Sequence, residues 1–251
     1  MTPDAYPLSV ASSGTRTVLV TGASGGIGRR LCLAFARDGF WVGVHYFSRR
    51  DAADDTLAEL TAAGGQGALF QADIRSRDDV QAMVDDLQRR RGRLDVLVCN
   101  AGIAAGHLVV RCPEEAWQRI IDTNLSGTYR SMTAAAAAMM TGGGSILVIG
   151  SYAGLYGTSG QGAYAASKAG LIGLVQAAAR EWGPHNIRVN LVCPGWHPTG
   201  LAGELYPSVD RLQDHVLGRV SDLDEVSATI CLLAQLRDVS GQVWNLDSRI
   251  F

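Results

Sequence analysis

Tyr164 and Lys168 stand four residues apart in a stretch of helical spacing, which places both side chains on one helix face. An isolated tyrosine has a pKa near ~10 and is a poor acid or base at pH 7. A nearby ammonium favours the phenolate and lowers that pKa, a tenfold change in the acid's ionisation being worth about 1.4 kcal/mol. A tyrosine tuned in this way can give a proton to a carbonyl oxygen or take one from an alcohol. Taken alone, the spacing is met more often by a surface Tyr–Lys pair.

A second constellation lies near the start. Thr21-Gly22-Ala23-Ser24-Gly25-Gly26-Ile27-Gly28 separates the apolar run Thr17-Val18-Leu19-Val20 from a helical pattern over 27–37. A helix start carries unsatisfied N–H groups and the positive end of the dipole, so it can hold a pyrophosphate. Glycines let the backbone approach phosphate and let helix and strand pack closely. The spacing here is GxxxGxG rather than GxGxxG. A plain structural loop is the alternative, and the position after a first strand favours the phosphate reading. No metal chemistry is indicated. The five cysteines stand far apart, with no CxxC and no Cys/His cluster of zinc spacing.

These residues need elements to position them, and strand and helix patterns alternate along the whole chain. Strands are expected at 17–20, 40–46, 68–72, 94–99, 145–150, 187–192 and 242–246. Helices are expected at 27–37, 54–63, 77–91, 163–182 and 222–235, with one long helix or two joined ones over 113–140. Apolar strands alternating with helices imply a parallel sheet covered on both faces, a doubly wound α/β domain. No linker or composition shift divides it. Residues 1–15, rich in Pro, Ser and Thr, read as a flexible tail preceding a single domain over 16–251.

Composition limits the function classes. The 251 residues are 47% hydrophobic and 18% charged, which is globular rather than disordered. Twenty-two Lys+Arg against 24 Asp+Glu leave a net charge of −2, with no basic excess for nucleic acid. Residues 131–167 contain no charge, yet Gly142-Gly143-Gly144, Ser151, Thr158, Ser159 and Gln161 interrupt the run, so a membrane span is not expected. No basic residue precedes Arg16, so the start does not read as a secretory signal. The scattered cysteines (Cys32, Cys99, Cys112, Cys193, Cys231) read as reduced, mostly buried thiols of a cytoplasmic protein.

Together the motifs resemble the short-chain dehydrogenase/reductase family over about residues 16–247. In order they are Thr21-Gly22 with Gly26 and Gly28, Asp73 after the third strand, Asn100-Ala101-Gly102 after the fourth, Asn124 in a long helix, Ser151 after the fifth strand, Tyr164 with Lys168, and Pro194-Gly195 after the sixth. The resemblance implies a Rossmann-type sheet of seven parallel strands and hydride transfer between a nicotinamide cofactor and a ketone or alcohol. It implies that Tyr164 is the general acid or base and that Lys168 both tunes it and holds the nicotinamide ribose. Ser151, 13 residues before Tyr164, would orient the substrate oxygen, and Asn124 would hold a water linking Lys168 to solvent. Gly22, Ser24, Gly26, Ile27 and Gly28 would meet the phosphates, Asp73 and Ile74 the adenine, and Asn100, Ala101 and Gly102 the adenosine side. Pro194, Gly195 and Thr199 would meet the nicotinamide. His197 replaces the usual aliphatic residue, and a lid is expected over about 196–218.

The choice between NAD and NADP lies after the second strand, where an acidic residue would bind the ribose 2′-OH and repel a 2′-phosphate. Here His45-Tyr46-Phe47-Ser48-Arg49-Arg50 has no carboxylate before Asp51. Arg49 or Arg50 can reach a phosphate through its fork of donors, so NADP(H) is expected with NAD(H) possible. Gly25 stands where many NADP-using relatives carry a basic residue. The closest look is to 3-oxoacyl-acyl-carrier-protein reductases, through Leu217-Gly218-Arg219-Val220, Asp224-Glu225-Val226 and Gly241-Gln242-Val243. The tail departs from that group, with Asp247-Ser248-Arg249 where Asp-Gly-Gly is usual. The implied substrate is a small-molecule or carrier-bound acyl ketone. Lid residues Leu201, Leu205, Tyr206, Val209, Leu212 and Val216 favour an apolar chain over a sugar. Reduction of a different ketone and a non-catalytic cofactor-binding regulator are the alternatives. Small residues at 134–138 and at Ala165, Ala166, Ala169, Gly170 and Gly173 permit close helix approach, and the resemblance implies that these helices pair in a homotetramer or homodimer, with close packing onto the protein's own sheet as the alternative.

Overall fold

The structure is a computed structural model and describes residues 14–197, 199 and 212–250. The expected tail, except its last two residues, and lid residues Leu201, Leu205, Tyr206 and Val209 lie outside the described residues. Seven strands form one parallel sheet in the order β3-β2-β1-β4-β5-β6-β7. They are β1 Thr17–Val20, β2 Trp41–Tyr46, β3 Gln66–Gln71, β4 Val96–Cys99, β5 Gly144–Ile149, β6 Ile187–Cys193 and β7 Val243–Asn245. The helices are α1 Gly26–Arg37, α2 Arg50–Ala62, α3 Arg77–Arg91, α4 Glu114–Ile121, α5 Gly127–Met139, α6 Ala153–Tyr156, α7 Gly162–Trp182 and α8 Leu223–Gln235. This is the expected single-domain, doubly wound fold.

The strands separate two cores by simple alternation. Val18, Val20, Val96 and Val98 face one side, where they meet Leu31 and Phe35 of α1, Leu60 of α2 and Ile230 of α8. Leu19, Leu97 and Ile146 face the other, where they meet Leu87 of α3, Met132 of α5 and Leu171 and Val175 of α7. Because both faces are covered, every residue of β1, β2, β4 and β5 is buried and the strands read as continuous apolar runs.

Local signals account for some boundaries. Ser76 caps α3, accepting from Asp79 N–H at 3.2 Å, and Gly92 closes it in the left-handed region. Asp222 caps α8, accepting from Glu225 N–H at 2.9 Å. The expected helix over 54–63 starts earlier, at Arg50, with Arg49 at the N-cap position and no side-chain cap. The expected long helix over 113–140 is two helices, α4 and α5, joined by a π-turn over Asp122–Ser126. The one-turn α6 has no counterpart among the expected elements.

Candidate active site

The strand order reverses between β1 and β4, and the crevice beyond their carboxyl ends is where open α/β sheets receive ligands. The glycine turn follows β1 there. Gly22 has a positive φ of 65°, and a Cβ on it would lie 2.7 Å from Ala101 Cα. A Cβ on Gly28 would collide with the Gly22 carbonyl oxygen. Asn100 ties the turn to β4, its Nδ2 donating to the Thr21 and Gly22 carbonyls at 2.9 and 3.0 Å. The Thr21 hydroxyl in turn accepts from Asn100 and Ala101 N–H at 2.9 and 3.1 Å. No side chain caps the start of α1, so its first N–H groups face the turn without a side-chain partner. A twelve-residue helix ending in such a cradle fits a pyrophosphate, and hence a dinucleotide.

Thr199 lies over this cradle, its Cβ 3.2 Å from where a Gly26 Cβ would stand. Arg49 lies beside it, one guanidinium nitrogen 3.9 Å from a Cβ placed on Gly25. Arg50 is turned instead to Asp54, at 3.4 Å. Ser24 and Ile74 are buried, and Asp73 is half-buried at the end of β3. The Asp73 carboxylate is bound by Arg75, with Nη2 donating at 2.6 Å, and this guanidinium holds its pKa below the usual value.

His45 is a site residue that sequence reasoning passed over. Its Nδ1 accepts from Gly22 N–H at 2.9 Å, so Nε2 carries the proton and donates to the Ala72 carbonyl at 3.1 Å. Burial lowers its pKa to about 4, so the ring is neutral and pins the glycine turn to the end of β3. A lone polar residue in the apolar run 41–46 was the only signal.

Across the crevice, Tyr164 and Lys168 share one face of α7. Lys168 is 5% exposed and its Nζ lies 5.8 Å from the centre of the Tyr164 ring. That Nζ donates to the Ile149 carbonyl at 2.6 Å. Burial lowers the Lys168 pKa to about 8. The expectation of a depressed phenol pKa is not met in this structure. Burial pushes Tyr164 up, and its hydrogen bond with Ser151 opposes that change only in part. Tyr164 is therefore protonated at neutral pH and ready to donate. Ser151 Oγ also accepts from Ala153 N–H at 3.2 Å, which starts α6 and fixes the hydroxyl.

The π-turn brings Asn124 inward, where it is fully buried. Its amide grips Ile103 from both sides, accepting from N–H at 2.8 Å and donating to the carbonyl at 2.9 Å. It also donates to Ser167 Oγ at 3.1 Å, and Ser167 donates to the Tyr164 carbonyl at 2.7 Å. The Asn124 side chain thus anchors the first turn of α7, a role for Ser167 and Ile103 that spacing alone did not reveal. His197 turns back on its own loop, Nε2 donating to the Pro194 carbonyl at 2.8 Å.

Ser151, Tyr164, Lys168, Asn100, Gly102, Pro194, Gly195 and Thr199 line one cavity. The structure thus brings Tyr164, Lys168 and Ser151 together with Ile27, Asn100 and Thr199 from beside the glycine turn. Among the described residues, no group of three His, Cys, Asp or Glu side chains could hold a metal ion, and no helix is long and apolar enough to cross a membrane. The five cysteines are unpaired, four of them buried.

The chain is similar to known proteins in sequence and fold. Residues 16–210 match the family model for short chain dehydrogenases. The chain is 34% identical to the 3-oxoacyl-[acyl-carrier-protein] reductase FabG of Staphylococcus aureus, over 94% of this chain and 98% of that one. It is 37% identical to the 3-oxoacyl-[acyl-carrier-protein] reductase of Synechocystis sp., over 92% and 95%. A crystal structure of a short-chain type dehydrogenase/reductase from Mycobacterium marinum superposes with a TM-score of 0.88 at 33% identity, covering 94% of this chain and 95% of that one. With its sheet order, glycine cradle and Ser–Tyr–Lys cluster, and with relatives matched nearly end to end, the chain belongs to the short-chain dehydrogenase/reductase family of oxidoreductases.

Proposed function

We propose that this protein reduces a ketone to a secondary alcohol with NADPH, and that a 3-oxoacyl thioester is the first candidate substrate. The observation that carries the reading is the half-buried Tyr164, held protonated and hydrogen-bonded to Ser151, with the Lys168 ammonium beside its ring. A nicotinamide cofactor bound in the cradle would supply the hydride. Ser151 orients the ketone oxygen, and Tyr164 delivers the proton to it from Oη. Lys168 supports the tyrosinate left behind by its charge and holds the cofactor's ribose. The intact cluster argues against a non-catalytic regulator.

Arg49 supports NADPH over NADH, because it stands beside the cradle with no carboxylate at the end of β2. The thioester rests on the names of the relatives. Assembly is proposed through α7, where Ala166, Ala169, Gly170 and Gly173 are exposed. The alanines of α5 do not serve this purpose at 134–136, since they are buried in the chain's own core. A homotetramer of a cytoplasmic enzyme is the assembly this reading adopts.

The test is NADPH consumption by the purified protein with 3-oxoacyl thioesters, keto-sugars and cyclic ketones. Tyr164→Phe should lower turnover by about 10²–10⁴-fold while cofactor affinity stays close to that of the parent. Arg49→Ala should raise KM for NADPH and leave NADH unaffected. Near-parental activity in Tyr164→Phe, or a clear preference for NADH, would overturn the respective part of the reading.

A further inference from the structure

Arg249 is a buried cation in the wall of the catalytic cavity. It lines the same space as Ser151, Tyr164 and Lys168, and it is 8% exposed. The tail reaches this place because β7 leads it past Gly195. A Cβ on Gly195 would lie 2.8 Å from Asp247 Cβ, and its φ is +88°. Asn245 Nδ2 then donates to the Arg249 carbonyl at 2.7 Å. Asp247, whose side chain is fully buried, accepts from Arg249 N–H at 2.9 Å and from Nε at 2.8 Å, and it also takes Nη2. The guanidinium is stacked on Tyr152, 3.9 Å above the ring centre, and Tyr152 directly follows Ser151. The head group is therefore fixed in place before any ligand arrives.

A guanidinium has five N–H donors, and Asp247 engages it along the Nε–Nη2 edge. The remaining donors meet no acceptor among the described residues. Among those residues, the charged side chains lining the cavity are Lys168 and Arg249, both cationic. Asp247 stands behind Arg249 and neutralises one of the two charges. The cavity keeps a positive excess in a desolvated setting, where a fixed planar fork of donors matches a carboxylate.

We infer that Arg249 determines substrate specificity by binding a carboxylate carried by the ketone substrate. This rests on the ketone-reductase reading and narrows the ketone to one with a free carboxylate, either next to the ketone-bearing segment, which replaces the 3-oxoacyl thioester as substrate, or at the far end of an acyl chain, which is compatible with it.

The experiment compares matched pairs, each an oxo acid and its methyl ester, with NADPH. A 3-oxo acid and a longer acyl ketone with a terminal carboxylate serve as the two arms. Parent enzyme should favour at least one acid over its ester by about tenfold or more in kcat/KM, through KM. Replacing Arg249 alone would strand the buried Asp247, so the variant is Asp247→Asn with Arg249→Gln. It should lose the acid preference, keep ester turnover, and keep NADPH affinity. Calorimetric titration of the parent with a non-reducible carboxylate and its ester, in the presence of NADP, gives a readout that does not depend on turnover. Binding of the carboxylate by the parent and not by the double variant supports the inference even if no ketone is reduced. Esters reduced better than both acids, or equal losses on acid and ester in the double variant, would overturn it and leave the reductase reading standing. A parent that binds the ester and the carboxylate alike would overturn it as well.

Discussion

His45 holds the glycine turn with one ring nitrogen and the end of β3 with the other, and this works only for the neutral ring. Its pKa falls from an ordinary 6.5 to about 4 because burial penalises the charged form. The unfolded chain therefore binds more protons than the folded one between those values. The His45 contribution is complete above pH 6.5 and is lost as pH falls through that window towards 4. The expected loss is of order 3 kcal/mol, which denaturant titration across the window would detect. His45→Gln, which can keep both hydrogen bonds without titrating, should flatten that part of the profile. An unchanged slope would show that other groups carry it. The proposed Ser–Tyr–Lys set and the glycines were legible in the sequence because together they form an ordered series of motifs that resembles a known family. His45, Ser167 and Arg249 were not, because their roles depend on partners 23 and 43 residues away, or on a tail folded back to the cavity.

Among the elements, α6 and α7 set the geometry of Ser151, Tyr164 and Lys168, the proposed catalytic residues. A Cβ on Gly154 would stand 2.8 Å from both the Lys168 backbone carbon and its Cβ. Gly154→Ala must push α6 away from α7 at the lysine itself. Overpacking of this kind costs about 1–3 kcal/mol, and kcat should fall with it, since Ser151 starts α6 and Lys168 sits on α7. Unfolding curves together with steady-state rates test this, and parental values for both would refute it. The π-turn between α4 and α5 is the other positioning device. Periodicity indicated a helix there but could not resolve the extra residue per turn, which shows only in backbone hydrogen bonding. The boundaries that were legible, such as both ends of α3, carry local signals in Ser76 and Gly92.

On the scale of the whole molecule, the exposed small residues of α7 and the exposed aromatics Trp117 and Tyr129 leave a surface suited to a second copy. Light scattering at micromolar concentration should give a tetramer. Gly173→Arg, at an exposed position where nothing lies within 4 Å of an added Cβ, should fold as before and dissociate the assembly. A monomeric parent protein would contradict this. The same α5 alanines that read as interface material turn out to be interior at 134–136, because α5 packs directly on the sheet.

From the sequence alone came the fold class, the order of elements, and the glycine turn, Ser151, Tyr164 and Lys168 as candidate site residues. The elements rest on local physics, the alternation of apolar runs with helical periods, while the roles of Ser151, Tyr164 and Lys168 came from the resemblance of the ordered motifs to a known family, since the Tyr–Lys spacing alone is met more often by a surface pair. Tertiary structure decided the rest. Burial raises the Tyr164 pKa where proximity to a lysine alone predicted a fall, because desolvation depends on everything packed around the phenol. Asn124 became an anchor of α7 because a π-turn aims it at Ile103 and Ser167. Arg249, at a position read only as a departure from the usual tail, became part of the cavity wall because Gly195 lets Asp247 close against it. Pairings of this kind join residues far apart in the chain, and no local pattern encodes their distance.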